Sequence, residues 1–142
     1  MSVDQTTPDP YPLVGHIVEG KYEIQQILGS GAMGRVVRAH HVLRKIPVAL
    51  KFVSPSLLGH RDVVDRFLNE GVASSKIDSE HVVKVFDVST LPNGLPYMVM
   101  ELLEGQDLSR LLRREGHPYL DDPARTVHFT LQILRGLQAA HR

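Results

Sequence analysis

The chain has no cysteine and no tryptophan. Without cysteine there is no disulfide framework, no thiolate zinc site and no cysteine nucleophile. An excess of charge of one sign is missing as well. Sixteen basic side chains stand against 16 acidic ones, for a formal net charge of zero. That balance argues against electrostatic capture of a nucleic-acid backbone or an anionic membrane surface. Long apolar runs are absent too. A membrane-spanning helix needs roughly 18 or more such residues, whereas the runs here are short, as in Tyr97-Met98-Val99-Met100. The opening Met-Ser-Val-Asp has neither the basic nor the apolar region of a signal peptide. A cytoplasmic location is therefore expected for these residues, and a membrane anchor beyond residue 142 stays compatible with it. What is present is ordinary for a globular protein: 142 residues, 42% hydrophobic and 23% charged. The eight histidines show no His-Glu-x-x-His spacing. His40 and His41 are neighbours on an expected strand and so point to opposite faces. No metal site is expected.

Residues 1–16 read as a flexible, proline-rich tail, with Pro8, Pro10 and Pro12 among small polar residues. From Tyr22 the pattern changes to half-buried strands: Tyr22–Leu28, Val36–His40 and the strongly apolar Ile46–Val53. Val63, Val64, Phe67, Leu68 and Val72 fall on one arc of an amphipathic helix over 61–77. Gly71 lies inside that helix and is expected to weaken it by about 1 kcal/mol relative to alanine. Further strands are expected at Val82–Phe86 and Tyr97–Leu102, separated by the Pro92-Asn93-Gly94 turn. Asp107 caps a short helix from Leu108 to Arg114, ended at Gly116, and Asp122-Pro123 opens a last one. Val127, Leu131, Leu134 and Leu137 form an apolar stripe on that last helix, which is expected to favour self-association of the isolated chain. Arg110, Arg113 and Arg114 read as a solvated helix face.

Three features could carry chemistry. The first is Leu28-Gly29-Ser30-Gly31-Ala32-Met33-Gly34-Arg35-Val36. Glycines let a backbone approach a phosphate without a Cβ clash, although a tight hairpin turn uses them equally well. A dinucleotide-binding loop would need a helix directly after the third glycine. Here a β-branched strand follows. A P-loop would need Gly-Lys-Ser/Thr, but Arg35 follows Gly34. The second feature is Lys51 inside Val48-Ala49-Leu50-Lys51. A lysine in an apolar strand either faces solvent or meets an anion, and the hairpin brings this one alongside the glycine loop. The third is Glu70, at the edge of the apolar arc of the 61–77 helix. It is either a surface acid or an ion-pair partner for Lys51.

Taken together, Gly29-x-Gly31-x-x-Gly34-x-Val36, Val48-Ala49-Leu50-Lys51 and the acid at Glu70 resemble the small lobe of a protein kinase. Gly31-Ala32-Met33-Gly34-Arg35-Val36 and Pro96-Tyr97-Met98-Val99-Met100-Glu101 are similar to bacterial eukaryote-like (Hanks-type) serine/threonine kinases. The likeness covers about residues 20–142. It departs at Ala32, where another glycine is frequent, and at Ser79-Glu80, where His-Pro is common. Gly71, directly after Glu70, is expected to loosen the position of that acid.

The resemblance implies an α+β fold. Its small lobe would be a five-stranded antiparallel sheet with one regulatory helix, spanning residues 17–103 with the hinge, and residues 104–142 would begin a helical large lobe. It implies ATP as the cofactor. Gly29, Ser30, Gly31, Ala32, Met33 and Gly34 would cover its phosphates. Leu28, Val36 and Ala49 would enclose the adenine, with Met100 as the gatekeeper behind it. The Glu101 carbonyl and the Leu103 amide would bind the adenine edge, and Asp107 would lie near the ribose. Lys51 would contact the phosphates and pair with Glu70. In the family the catalytic loop (His-Arg-Asp … Asn), the Asp-Phe-Gly and the Ala-Pro-Glu segment follow downstream, so they would lie beyond residue 142, and Arg142 reads as a cut. Mg2+ could then reach the chain only on the nucleotide phosphates, and the 142 residues alone are expected to be inactive in transferring phosphate to a protein substrate. A second reading is a non-catalytic nucleotide-binding or docking module that regulates a partner.

Overall fold

Alternation along the most apolar strand sets the architecture. In Ile46–Val53, Val48, Leu50 and Phe52 belong to the main core, while Ala49 and Lys51 point to the opposite face. The computed structural model describes residues 9–116 and 120–142. Its strands are β1 (Ile17–Val18), β2 (Tyr22–Ser30), β3 (Gly34–His41), β4 (Ile46–Val53), β5 (Val85–Thr90) and β6 (Pro96–Glu101). The helices are α1 (Arg61–Ser75), α2 (Leu108–Glu115) and α3 (Pro123–Ala140). The strands form one sheet in the order β1-β2-β3-β4-β6-β5, every neighbouring pair antiparallel.

Val37 and Ala39 of β3, and Tyr97 and Val99 of β6, join the β4 residues in the core on one face, here termed the outer face. Phe52 and Tyr97 lie at its centre, their rings 5.7 Å apart. Burial of side chains this large stabilises by about 2–3 kcal/mol each. The antiparallel sheet, its single packed helix and the two later helices agree with the expected fold class. The sheet has one strand more than expected, because Ile17–Val18 pairs with β2.

That strand also corrects the reading of residues 1–16 as a tail. Residues 1–8 lie outside the described part of the chain. Residues 9–16 are folded onto the outer face. Tyr11 is buried in the core cluster, and its ring sits edge-on to Phe52 at 6.2 Å. The Gly15 amide donates to the Ile24 carbonyl at 2.7 Å, and the Ile24 amide donates to the His16 carbonyl at 2.9 Å. Prolines set this segment's direction without freeing it, because one buried aromatic ring outweighs their lack of donors.

The strand expected from Val82 begins at Val85 instead. Ser79 turns the chain just before it: its carbonyl and side-chain oxygen accept from the Val82 and His81 amides at 3.3 and 3.2 Å. The turned residues then pack under α3. A Cβ on Gly136 would stand 2.9 Å from the His81 carbonyl oxygen and 3.4 Å from Val82 Cγ2. The first valines of the run thus serve a helix contact rather than the ladder. Both expected helix caps are present. The Asp107 side chain accepts from the Arg110 amide at 2.8 Å, and that of Asp122 accepts from the Ala124 amide at 2.9 Å. Gly116 closes α2 in the left-handed conformation. No helix among the described residues is long and apolar enough to cross a membrane.

Gly71 does not loosen α1. The helix runs unbroken through it, and it is the helix's buried residue, seated on β5 and β6. A Cβ there would lie 2.6 Å from Val88 Cγ2 and 2.8 Å from Met98 Cε. Met98 can bend away, but Val88 is stiff at χ1. Gly71→Ala is therefore expected to destabilise the chain by about 1–2 kcal/mol, although an isolated helix would gain about 1 kcal/mol from the same change. Urea unfolding measures this. Unchanged or higher stability would show that α1 does not depend on this close approach.

Candidate functional site

The second face of the sheet gathers most of the residues singled out from the sequence. Along β3, Val36 alternates with the core residue Val37, and its register partners are Gly29 on β2 and Lys51 on β4. Ala49 stands opposite Met100, and Lys51 opposite Met98. Because directly opposed residues of an antiparallel pair share a face, Val36, Ala49, Lys51, Met98 and Met100 line one surface. Ala49 is buried, Val36 and Met100 are half-buried, and Lys51 is exposed. Leu28 lies where β2 runs toward the glycine loop and is half exposed.

The loop itself is a closed hairpin. The Gly31 amide donates to the Gly34 carbonyl at 2.9 Å, and the Gly34 amide donates back to the Gly31 carbonyl at 3.3 Å. Its tip is tied to the far end of β4, where the Ser54 amide donates to the Met33 carbonyl at 2.9 Å. A Cβ on Gly29 or Gly31 would meet nothing within 4 Å. Those two glycines leave open space beside the backbone, as an approaching phosphate requires. The Met33 side chain extends into solvent; Ser30 and Ala32 are likewise exposed at the hairpin.

Lys51 and Glu70 do not form an ion pair. Neither takes part in any of the salt bridges given for the described residues, and both are exposed. Glu70 directly precedes Gly71, the residue that seats α1 on Val88 and Met98, and its side chain is exposed.

The expected contacts of the β6–α2 connection divide between two surroundings. Glu101 is bound at both its backbone and its side chain: its amide donates to the Lys84 carbonyl at 2.9 Å, and its Oε1 accepts from the Lys84 amide at 2.8 Å. Leu103 is exposed. Both line a cavity of about 390 Å3 that reaches Val82, Leu111 and Phe129 and is not lined by Val36, Ala49 or Lys51. The Asp107 carboxylate is engaged as the cap of α2. Among the described residues no group of three or more His, Asp or Glu converges as a metal site.

One side chain of the glycine loop was not singled out from the sequence. Arg35, between Gly34 and Val36, faces the outer side of the sheet. Its Nη1 lies 2.8 Å from Asp9 Oδ2, and its guanidinium lies over the Tyr11 ring, 4.1 Å from the centroid. The hydrogen bond from Arg35 holds the Asp9 carboxyl below its ordinary range, against a smaller opposing effect of burial. The sequence signal available was Tyr11, an aromatic residue among prolines, but nothing local joins it to a position in the loop.

Comparison with known proteins gives a consistent family. The family described as the protein kinase domain matches residues 22–142. Serine/threonine-protein kinase pkn3 of Myxococcus xanthus is 33% identical over 135 residues, covering 95% of this chain and 24% of that protein. PknA of Corynebacterium glutamicum, named a serine/threonine-protein kinase, is 35% identical over 130 residues, covering 89% of this chain and 27% of that protein. The chain thus spans about a quarter of the length of these relatives. Among solved structures, the PknI kinase domain of Mycobacterium tuberculosis superposes with a TM-score of 0.79 at 22% identity, over 92% of this chain and 52% of that one. At that identity the superposition speaks for the fold alone.

Proposed function

Since the chain belongs to the protein kinase domain family, we propose that it is the ATP-binding part of a serine/threonine protein kinase, which transfers the γ-phosphoryl group of ATP to protein hydroxyls. In this reading residues 17–103 are the small lobe and hinge, and residues 104–142 begin the large lobe. The observation that carries the reading is the register, which puts the open glycine hairpin, Val36, Ala49, Lys51 and Met100 on one face of one sheet.

The residues present fit a nucleotide. Leu28, Val36 and Ala49 offer an apolar surface for a purine ring. Met100 would close the site behind it, and the backbone of Glu101 and Leu103 would meet its polar edge. Gly29 and Gly31 leave space for phosphates within the Gly29–Gly34 hairpin, and Lys51 holds an uncommitted cation next to them. ATP brings the transferable phosphoryl group, with Mg2+ carried on its phosphates. Asp107 would add a contact on the ribose side by giving up part of its capping role. The one His-Arg-Asp in the 142 residues, His60-Arg61-Asp62, opens α1 and has Phe67 where the catalytic loop carries its asparagine, and no Asp-Phe-Gly occurs. Hence the 142 residues would bind and orient the nucleotide, and transfer would need groups outside them.

The test is titration of the chain with ATP, alongside a Met100→Gly variant. Micromolar to millimolar binding of ATP is expected for the unaltered chain. The variant should keep ATP affinity within about threefold and gain about tenfold or more for adenine analogues with a bulky N6 substituent, since a long side chain behind the ring has been removed. Absence of ATP binding by the folded chain would overturn the reading. Lack of any gain by the enlarged analogues would remove Met100 from the back of the site.

A further inference from the structure

Arg35 makes contacts that the proposed nucleotide site does not use. Its register partners are Ser30 across the hairpin and Phe52 on β4, so its side chain stands on the outer face, away from Val36 and Lys51. There the guanidinium joins three groups. Asp9 Oδ2 is 2.8 Å away, Ser30 Oγ accepts from Nε at 3.3 Å, and the Tyr11 ring lies 4.1 Å below. The Arg35 side chain is only 16% exposed. The segment that holds it is itself anchored at two further points. Tyr11 packs edge-on against Phe52, and the Pro10 carbonyl accepts from Asn93 Nδ2 at 3.3 Å. Residues 9–12 are therefore a strap, fixed to the sheet at one side and gripping the base of the glycine hairpin at the other.

We propose that Arg35 is a positioning residue for the nucleotide: Asp9 and Tyr11 hold it from the outer face, and through Ser30 and the β3 backbone it keeps the glycine hairpin in its phosphate-receiving shape. The proposal rests on the nucleotide-binding reading above. A hairpin of glycines is costly to order, because its unbound backbone has many accessible conformations. Contacts that order it beforehand reduce what binding must supply. The strap does this from the side opposite the cleft, so it occupies no space that ATP would need.

The experiment is a double-mutant cycle in the 142-residue chain, read by ATP titration and by amide hydrogen exchange of residues 29–36 without nucleotide. Arg35→Met keeps the aliphatic stem and removes the charge. It is expected to weaken ATP binding about fivefold and to speed exchange in the hairpin, in keeping with one partly exposed ion pair and one ring contact. Asp9→Asn is expected to cost about threefold alone and nothing further in the Arg35→Met background, while Asp9→Glu restores affinity to within about twofold. Additive losses, or failure of Asp9→Glu to rescue, would reduce the cluster to ordinary packing and overturn the proposal. Unchanged affinity and exchange in Arg35→Met would overturn it as well. If the unaltered chain binds no ATP, the nucleotide reading itself fails and takes this one with it; if it binds and the cycle shows no coupling, only the role of the strap is lost.

Discussion

Replacing Lys51 by alanine is expected to weaken ATP binding about 10- to 150-fold and to leave the fold intact. The first half follows from what a cation contributes beside phosphate. A charge-assisted contact is worth about 1.5–3 kcal/mol, and 1.4 kcal/mol is about tenfold in affinity. The second half follows from the structure. Lys51 is exposed and takes no part in the ion pairs given for the described residues, so its removal leaves no buried charge without a partner. Substitutions of that kind change stability by about 0.5 kcal/mol or less. Calorimetric titration with ATP and thermal unfolding of the same sample measure both halves together. Unchanged affinity in a folded variant would remove Lys51 from the phosphate site. A collapse of stability would show that Lys51 holds the sheet together rather than binding a ligand.

Gly34→Ala has the largest expected effect on stability, about 2–4 kcal/mol. Gly34 opens β3 with φ near +155° and pairs with Val53. A Cβ at this position would overlap the Phe52 carbonyl oxygen, with Phe52 C at 3.0 Å and Ser54 N at 3.2 Å. These are backbone atoms of the central strand, and no rotamer change can move them aside. Relief requires shifting β3 from β4 or breaking the Ser54–Met33 hydrogen bond that holds the hairpin tip. The neighbouring glycines supply the control. Gly31→Ala meets nothing within 4 Å and should stay within about 0.5 kcal/mol of the parent. Urea unfolding of the two variants separates a steric requirement at Gly34 from a general need for flexibility in the loop. Equal stability of the two would contradict the close backbone approach at Gly34.

The features legible in the sequence are those decided over a few residues. The apolar, β-branched run Ile46–Val53 marks a strand before any partner is known, and its lone charge, Lys51, stands out within it. Asp107 and Asp122 cap amides only three and two residues away, so their role is visible from spacing alone. What was not legible depends on distance along the chain. Arg35 finds Asp9 across 26 residues, and the Tyr97 hydroxyl reaches Glu19 across 78. No periodicity carries that information, and a segment rich in proline passed for a tail. Gly71 shows the same limit in another form. Helix propensity reads it as a weakness, whereas contact with Val88 and Met98 makes its missing side chain the condition for docking α1. The expected ion pair of Glu70 failed for a related reason: the helical wheel gives a direction around α1, but the seat of α1 on β5 and β6 decides how far that direction reaches.

The shortness of β1 has a consequence for how this protein meets copies of itself. A sheet of six strands ends in two edges, and an edge with free amides and carbonyls recruits further strands. Here the outermost strand is only Ile17–Val18, set against Tyr22 and Glu23 of β2. It is bracketed by Gly15 at φ +87° on one side and by Glu19 and Gly20 at φ +48° and +68° on the other. Backbone in that region cannot continue a ladder. Glu19 is kept there by the hydrogen bond from Tyr97, whose buried hydroxyl stays protonated because burial, and then the carboxylate beside it, raise its pKa. An incoming strand would find two residues of β1 to pair with and then a bend on either side, so on this side continuous pairing is left only to the part of β2 that β1 does not cover. The bends at Gly15 and at Glu19-Gly20 therefore confine sheet growth to that short stretch.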